Sequence, residues 1–178
     1  LISYAAEEHH MIFTIGYEQA SLADFIATLR LSGVETLVDI RERAQSRRKG
    51  FSKSALSEAL SEAGIRYVHM RELGDPKEGR DAARRGDYSE FRKVFAKVMA
   101  SKKAKEALAE IENLLSGSSI CLMCYERNEK TCHRKIVSDS LEKKVGRKTV
   151  HLGVKDGAGR RPAVRRVHDT HQGAAASI

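Results

Sequence analysis

The sequence has no apolar run approaching the roughly 18 residues that a membrane-crossing helix needs. Its first residues show no basic stretch, apolar core and small-residue cleavage site in succession, so the chain is expected in the cytoplasm. Cysteine is scarce. Cys121, Cys124 and Cys132 are an odd set crowded into twelve positions, a poor framework for disulfides. In a reducing compartment such thiols are buried, reactive or metal-bound. Several motifs are also missing: there is no Walker loop, no GxGxxG, no HExxH and no nucleophile elbow. Their absence argues against P-loop nucleotide hydrolysis and against dinucleotide-dependent redox chemistry.

What remains is a chain of 178 residues, 41% hydrophobic and 31% charged, enough for one domain with a real core. The formal charge is +8 and the pI is about 9.5. That balance suits a polyanionic partner, because cationic contacts to phosphate supply most non-specific nucleic-acid affinity. Solubility alone explains the charge equally well.

Strand and helix patterns alternate between two ends of different character. Residues 1–10 read as an N-terminal extension. Residues 155–178, with five Lys/Arg against two Asp and no apolar period, read as a flexible basic tail. The histidines near the ends (His9, His10, His168, His171) are too isolated to argue for a metal. Between the ends, residues 11–154 form one expected domain. Strands are predicted at 11–15, 36–40, 65–70, 119–123 and 149–153. Helices are predicted from caps at Ser21, Ser52, Asp87 and Thr131, with another at about 103–115. Gly33, Gly64 and Gly146 are natural stops, and residues 71–86 form a polar, glycine-containing stretch in which Gly74 and Asp75 read as a turn. The expected fold is α/β: a single domain with a mainly parallel central sheet of about five strands, flanked by helices on both faces.

In such sheets, sites form at the carboxyl ends of the strands. The distinctive residues fall there: Thr14, Gly16 and Tyr17 after the first strand, Asp39 and Arg41 after the second, His69 near the end of the third, and Cys124 and Glu126 after the fourth. The segment CYERNEKTCHR, 124–134, is expected to lead into a helix whose first turn holds Cys132, His133 and Arg134. Free backbone N–H groups there favour anions and lower the pKa of a thiol. Arg134 suits bidentate binding of a phosphate or carboxylate. Asp39 and Glu126 are candidate acid–base groups, although a buried Asp39–Arg41 or Asp39–Arg134 ion pair is an equal reading. The loop after the second strand carries Arg41, Arg43, Arg47, Arg48, Lys49 and Lys53 against Glu42, a pattern that can grip a nucleic-acid backbone or simply be a solvated face. Tyr17 can stack on an extruded base or pack over the site. His69 reads first as a satisfied core residue.

A metal at Cys124, Cys132 and His133, with Glu126 or His69, is an alternative. The spacing C-x7-C-H fits no structural zinc pattern, and adjacent Cys and His side chains rarely face one ion. No cofactor is therefore expected.

Taken together, TIGY at 14–17, VDIR at 38–41, SRR at 46–48 followed by Phe51, AGIRYVHMRELG at 63–74 and CYERNEKTCHR at 124–134 resemble the family catalogued as domain of unknown function 488. The likeness spans about residues 11–153. It rests on Thr14, Gly16, Tyr17, Asp39, Arg41, Cys124, Glu126, Cys132, His133 and Arg134. It implies the fold and the site location, and no activity. The leading expectation is a nucleic-acid-binding protein, DNA above all, acting as a nuclease or base-excision type of repair enzyme. Two alternatives stand beside it: a small-molecule enzyme with a reactive thiol or metal at Cys132, and a non-catalytic interaction module.

Overall fold

A computed structural model describes residues 10–160. The expected extension (except its last residue, His10) and most of the expected tail lie outside the described residues, as do His9, His168 and His171. These described residues form five strands, β1 (Ile12–Gly16), β2 (Thr36–Asp39), β3 (Arg66–His69), β4 (Ile120–Cys124) and β5 (Thr149–Leu152). All pair in parallel, in the order β3-β2-β4-β1-β5. Six helices cover the sheet: α1 (Leu22–Leu31), α2 (Lys53–Glu62), α3 (Lys77–Arg84), α4 (Tyr88–Ala100), α5 (Lys102–Leu115) and α6 (His133–Val145). The fold is the expected α/β domain, with strand ends shifted by a residue or so.

Burial explains the strand sequences. β1, β2 and β4 are buried along their whole length, as central strands of a parallel sheet covered on both faces must be. Their side chains alternate between two cores. Phe13, Ile15, Leu37, Cys121 and Met123 meet Phe25, Leu29, Leu56 and Leu60 of α1 and α2. Ile12, Val38, Ile120 and Leu122 meet Phe91, Phe95, Leu108, Ile111 and Val137 of α4, α5 and α6. Burying each such side chain contributes about 1.5–3 kcal/mol. The edge strands β3 and β5 are more exposed.

The caps are mixed. Ser21 and Asp87 accept from the backbone N–H of Asp24 and Glu90 at 3.1 and 3.0 Å, as expected. Ser52 occupies the N-cap position of α2 without capping; its hydroxyl ties to the backbone of Ser46 instead. Thr131 does not cap α6. Cys132 does, its Sγ accepting from the Arg134 N–H at 3.5 Å. The polar stretch 71–86 holds a 3-10 turn (Arg71–Leu73) and α3. That helix lacked a signal because it buries only Gly79 and Ala82, with no large apolar stripe. Residues 155–160 turn back onto α1: the Lys155 N–H donates to Thr28 Oγ1 at 3.0 Å and the Gly159 N–H to Asp24 Oδ1 at 2.8 Å.

The topology places the site. Chain leaving β1 and β2 passes to helices on one face, and chain leaving β4, which lies between them, passes to α6 on the other. Loops that part in opposite directions leave a crevice at the carboxyl ends of those strands.

Candidate functional site

The crevice is a cavity of about 520 Å³. Arg41, Arg43, Arg47, Arg48, Arg80 and Arg84 line it, together with Tyr17, Tyr125 and the acidic residues Glu42, Asp75 and Glu126. Cys124 and His133 reach it as well. A second cavity of about 280 Å³ shares Asp75, Arg80, Tyr125, Glu126 and His133 and reaches Cys132.

Asp39 faces inward, away from both cavities. It is 0% exposed. Its carboxylate accepts from Arg41 Nε and Nη2 at 2.8 and 2.6 Å, from the Arg41 backbone N–H at 3.1 Å and from the Tyr67 hydroxyl at 2.6 Å. Four donors leave no oxygen free to activate water. Arg41 is spent on the same network, since its Nη1 donates to the Tyr17 hydroxyl at 2.9 Å and to the Phe51 carbonyl at 3.0 Å. Burial opposes the Arg41 charge, but the Asp39 carboxylate outweighs it and raises the pKa further. Tyr67 is also pushed up, by burial and by Asp39. His69 bonds the Arg41 carbonyl at 2.8 Å and so steadies the start of the basic loop.

Tyr17 is 2% exposed and stacks on Phe51, with ring centroids 4.4 Å apart. Phe51 occupies one face, Arg41 approaches the ring at 5.2 Å, and with so little of the ring exposed a base has no room to stack on it. Tyr125 meets Tyr17 edge-on at 5.3 Å and is 43% exposed beside the cavity. It is the aromatic residue positioned for stacking, and its own hydrophobicity, in a motif read for its thiols and charges, was the signal for it.

The basic loop divides. Arg43, Arg47 and Lys49 are exposed. Arg43 and Arg47 line the cavity; Lys49 is not among its lining residues. Arg48 donates from Nη2 to the Ala20 carbonyl at 2.6 Å, and its buried Nε has no partner. Arg134 also points inward. It donates to Thr14 Oγ1 at 3.4 Å, to the Glu126 carbonyl and to the Arg127 carbonyl at 2.9 Å. It thus pins the loop after β4 and does not meet Asp39. Gly16 completes that clamp, because a Cβ there would collide with the Glu126 carbonyl.

Asp75 is the residue that a turn reading concealed. It is 5% exposed, lines both cavities, and its Oδ1 has no hydrogen-bond partner. Burial pushes its carboxyl up to about 6. Two features hold it in place. Gly74 lets the chain lie against the backbone of Glu42, and Arg80 donates both to the Asp75 carbonyl and to the Glu42 carboxylate.

The cysteines are free thiols inside the structure. Burial pushes the Cys132 thiol well above its ordinary value and raises Cys124 too. The helix start does not depress the pKa as expected, because desolvation of a buried thiolate outweighs the field of a few amides. Cys124 donates to Glu126 Oε2 at 3.0 Å. Burial opposes the Glu126 charge, but hydrogen bonds from the thiols and its own backbone hold its pKa below the ordinary value. His133 is pushed up to about 9: burial works against the imidazolium, while Cys132, the Ile40 carbonyl and Glu126 favour it. Cys132 and His133 do face one point. Cys132 has extended backbone (φ −122, ψ 145) and His133 begins the helix, so the change of conformation between them turns neighbouring side chains to the same side.

A parallel α/β domain with a basic crevice at its strand ends is the class that fold and site define. The chain belongs to the family described as Domain of unknown function DUF488, whose model matches residues 21–141. No curated protein and no solved structure matches it. Among the described residues, no helix is long and apolar enough to cross a membrane.

Proposed function

We propose that this protein is a DNA-processing hydrolase that grips the phosphodiester backbone in the arginine-walled crevice. The observation that carries this reading is the pairing of that wall with Asp75, a carboxyl that lines both cavities and has a pKa near 6. A volume of about 520 Å³ lies within the usual range of ligand clefts, about 300–1,000 Å³. Arg43, Arg47, Arg48 and Arg84 meet the phosphates, and Tyr125 stacks on a base. A carboxyl of this pKa suits proton transfer at neutral pH. Asp75 takes a proton from water as the water oxygen bonds to phosphorus. The phosphorus–oxygen bond to the leaving group breaks, and the proton passes to the leaving oxygen. Asp39, fully engaged by Arg41 and Tyr67, has no part in this step. The reading places the protein in the cytoplasm, a compartment that keeps its three free cysteines reduced.

The test is binding of fluorescent single- and double-stranded DNA over a salt series, with the same samples scanned for cleavage products. Affinity should fall steeply with salt, and Arg47→Ala/Arg48→Ala should lower the slope for duplex by about 2. Asp75→Asn should bind DNA and release no product. Absence of binding at low salt overturns the proposal. Binding without product from any strand makes the protein a DNA-binding module instead.

A further inference from the structure

Four side chains from the end of β4 and the start of α6 converge beside both cavities. One donor atom from each of Cys124, Glu126, Cys132 and His133 lies within 4.8 Å of all the others. We propose that these residues form a metal centre for a divalent ion of the borderline class, zinc, held by Cys124 Sγ, Cys132 Sγ, His133 Nδ1 and the Glu126 carboxylate.

The spacing fits an ion at the middle of the set once the widest pair, within 4.8 Å, closes by about 1 Å. With Zn–S of about 2.3 Å and Zn–N of about 2.0–2.1 Å, neighbouring ligands on a tetrahedral ion stand roughly 3.5–3.8 Å apart. The Cys124 Sγ to His133 Nδ1 distance is 3.6 Å, and Cys132 Sγ to His133 Nδ1 is 3.9 Å. Cys124 Sγ and Glu126 Oε2, at 3.0 Å, share a proton that the ion would displace, and need to part by only about 0.5 Å to reach that spacing. Two thiolates, a carboxylate and an imidazole form a mixed S, N, O set that suits zinc better than hard cations such as calcium or magnesium.

The surroundings are those of a ligand set. His133 Nε2 lies 3.0 Å from the Ile40 carbonyl. An N–H donated there leaves Nδ1 as the ligating nitrogen, the arrangement in which metal-binding histidines are usually oriented. The Arg134 N–H points at Cys132 Sγ, 3.5 Å away, and supports a thiolate. Charge closes as well. Two thiolates, one carboxylate and a dication sum to −1, and the buried Arg134 guanidinium, tied to the same loop, offsets it. A disulfide between Cys124 and Cys132 would account for neither His133 nor Glu126. Cys121 takes no part, since it packs in the opposite core with Phe13 and Met123. The centre would cross-link the end of β4 to the first turn of α6 and fix the floor of the cavities, whether or not those cavities take DNA.

The experiment uses the full chain, purified without added histidines. Metal content is measured by plasma mass spectrometry. Stripped protein is then titrated with zinc alone, and with cobalt(II) as a spectroscopic probe. One zinc per chain and a thiolate-to-cobalt charge-transfer band are expected. Cys132→Ser should lose both, Glu126→Gln should weaken zinc binding at least about tenfold, and Cys121→Ala should retain full stoichiometry. If Cys132→Ser fails to fold, the wild-type titration and Glu126→Gln decide alone. Folded wild-type protein that takes up no stoichiometric zinc overturns the proposal. So does uptake unchanged in Cys124→Ser/Cys132→Ser.

Discussion

Asp39 and Arg41 form a two-pronged ion pair, Nε to Oδ1 at 2.8 Å and Nη2 to Oδ2 at 2.6 Å, with both residues buried. The pair makes β2 an anchor for the site rather than a source of its chemistry. Through Arg41 it also holds the Tyr17 hydroxyl and the Phe51 carbonyl. One carboxylate thus fixes the loop that carries the basic residues.

Asp39→Ala should therefore act on stability. Removing one member of a buried pair leaves an uncompensated charge and costs about 3–5 kcal/mol. Chemical denaturation measures this. A loss below about 1 kcal/mol, the range of exposed pairs, together with abolished activity, would return Asp39 to a direct catalytic role.

Asp75 sets a pH dependence of definite sign. Its folded pKa, about 6, lies above the ordinary 3.8, so the native state holds this proton more tightly than the unfolded chain. The associated stabilisation is complete below about pH 3.8 and is lost as the pH rises through about 6. At neutral pH the ionised carboxylate costs the fold at most about 3 kcal/mol. Asp75→Asn should accordingly gain stability over the wild type between pH 4 and pH 7.5, as measured by denaturation midpoints at both values. A difference that stays constant across that window would show that Asp75 titrates normally.

The two tyrosines at the crevice should separate. Tyr125→Ala removes an exposed ring and should weaken single-stranded DNA binding by about 1–3 kcal/mol, with folding stability little changed. Tyr17→Phe removes only the acceptor for Arg41 Nη1, so it should lower stability by about 1 kcal/mol and leave DNA affinity intact. The opposite pattern, read from binding isotherms and melting curves, would make Tyr17 the stacking residue.

Much of the architecture was legible locally. The apolar runs at 12–16, 36–39 and 120–124 are near-continuous because parallel strands bury both faces, and Ser21, Asp87, Gly33 and Gly146 mark helix ends by chemistry that needs no distant partner. The strand–helix alternation implied where Tyr17, Arg41, Cys124 and Glu126 would gather. α3 escaped because small residues, Gly79 and Ala82, are all it buries. Ser52 and Thr131 escaped as non-caps because their hydroxyls found other partners at Ser46 and Asn128.

By itself, then, the sequence determined the class of fold and the edge of the sheet at which charge and thiols collect, since periodicity and caps are properties of neighbours along the chain. Only the tertiary structure decided which of those groups are free. Asp39 and Arg134 became anchors, Asp75 became a nearly buried carboxyl lining the crevice, and Cys124, Glu126, Cys132 and His133 became one cluster. The reason is physical: a side chain's pKa and partners depend on desolvation and on groups brought to it from elsewhere in the fold, and neither quantity is encoded in local spacing.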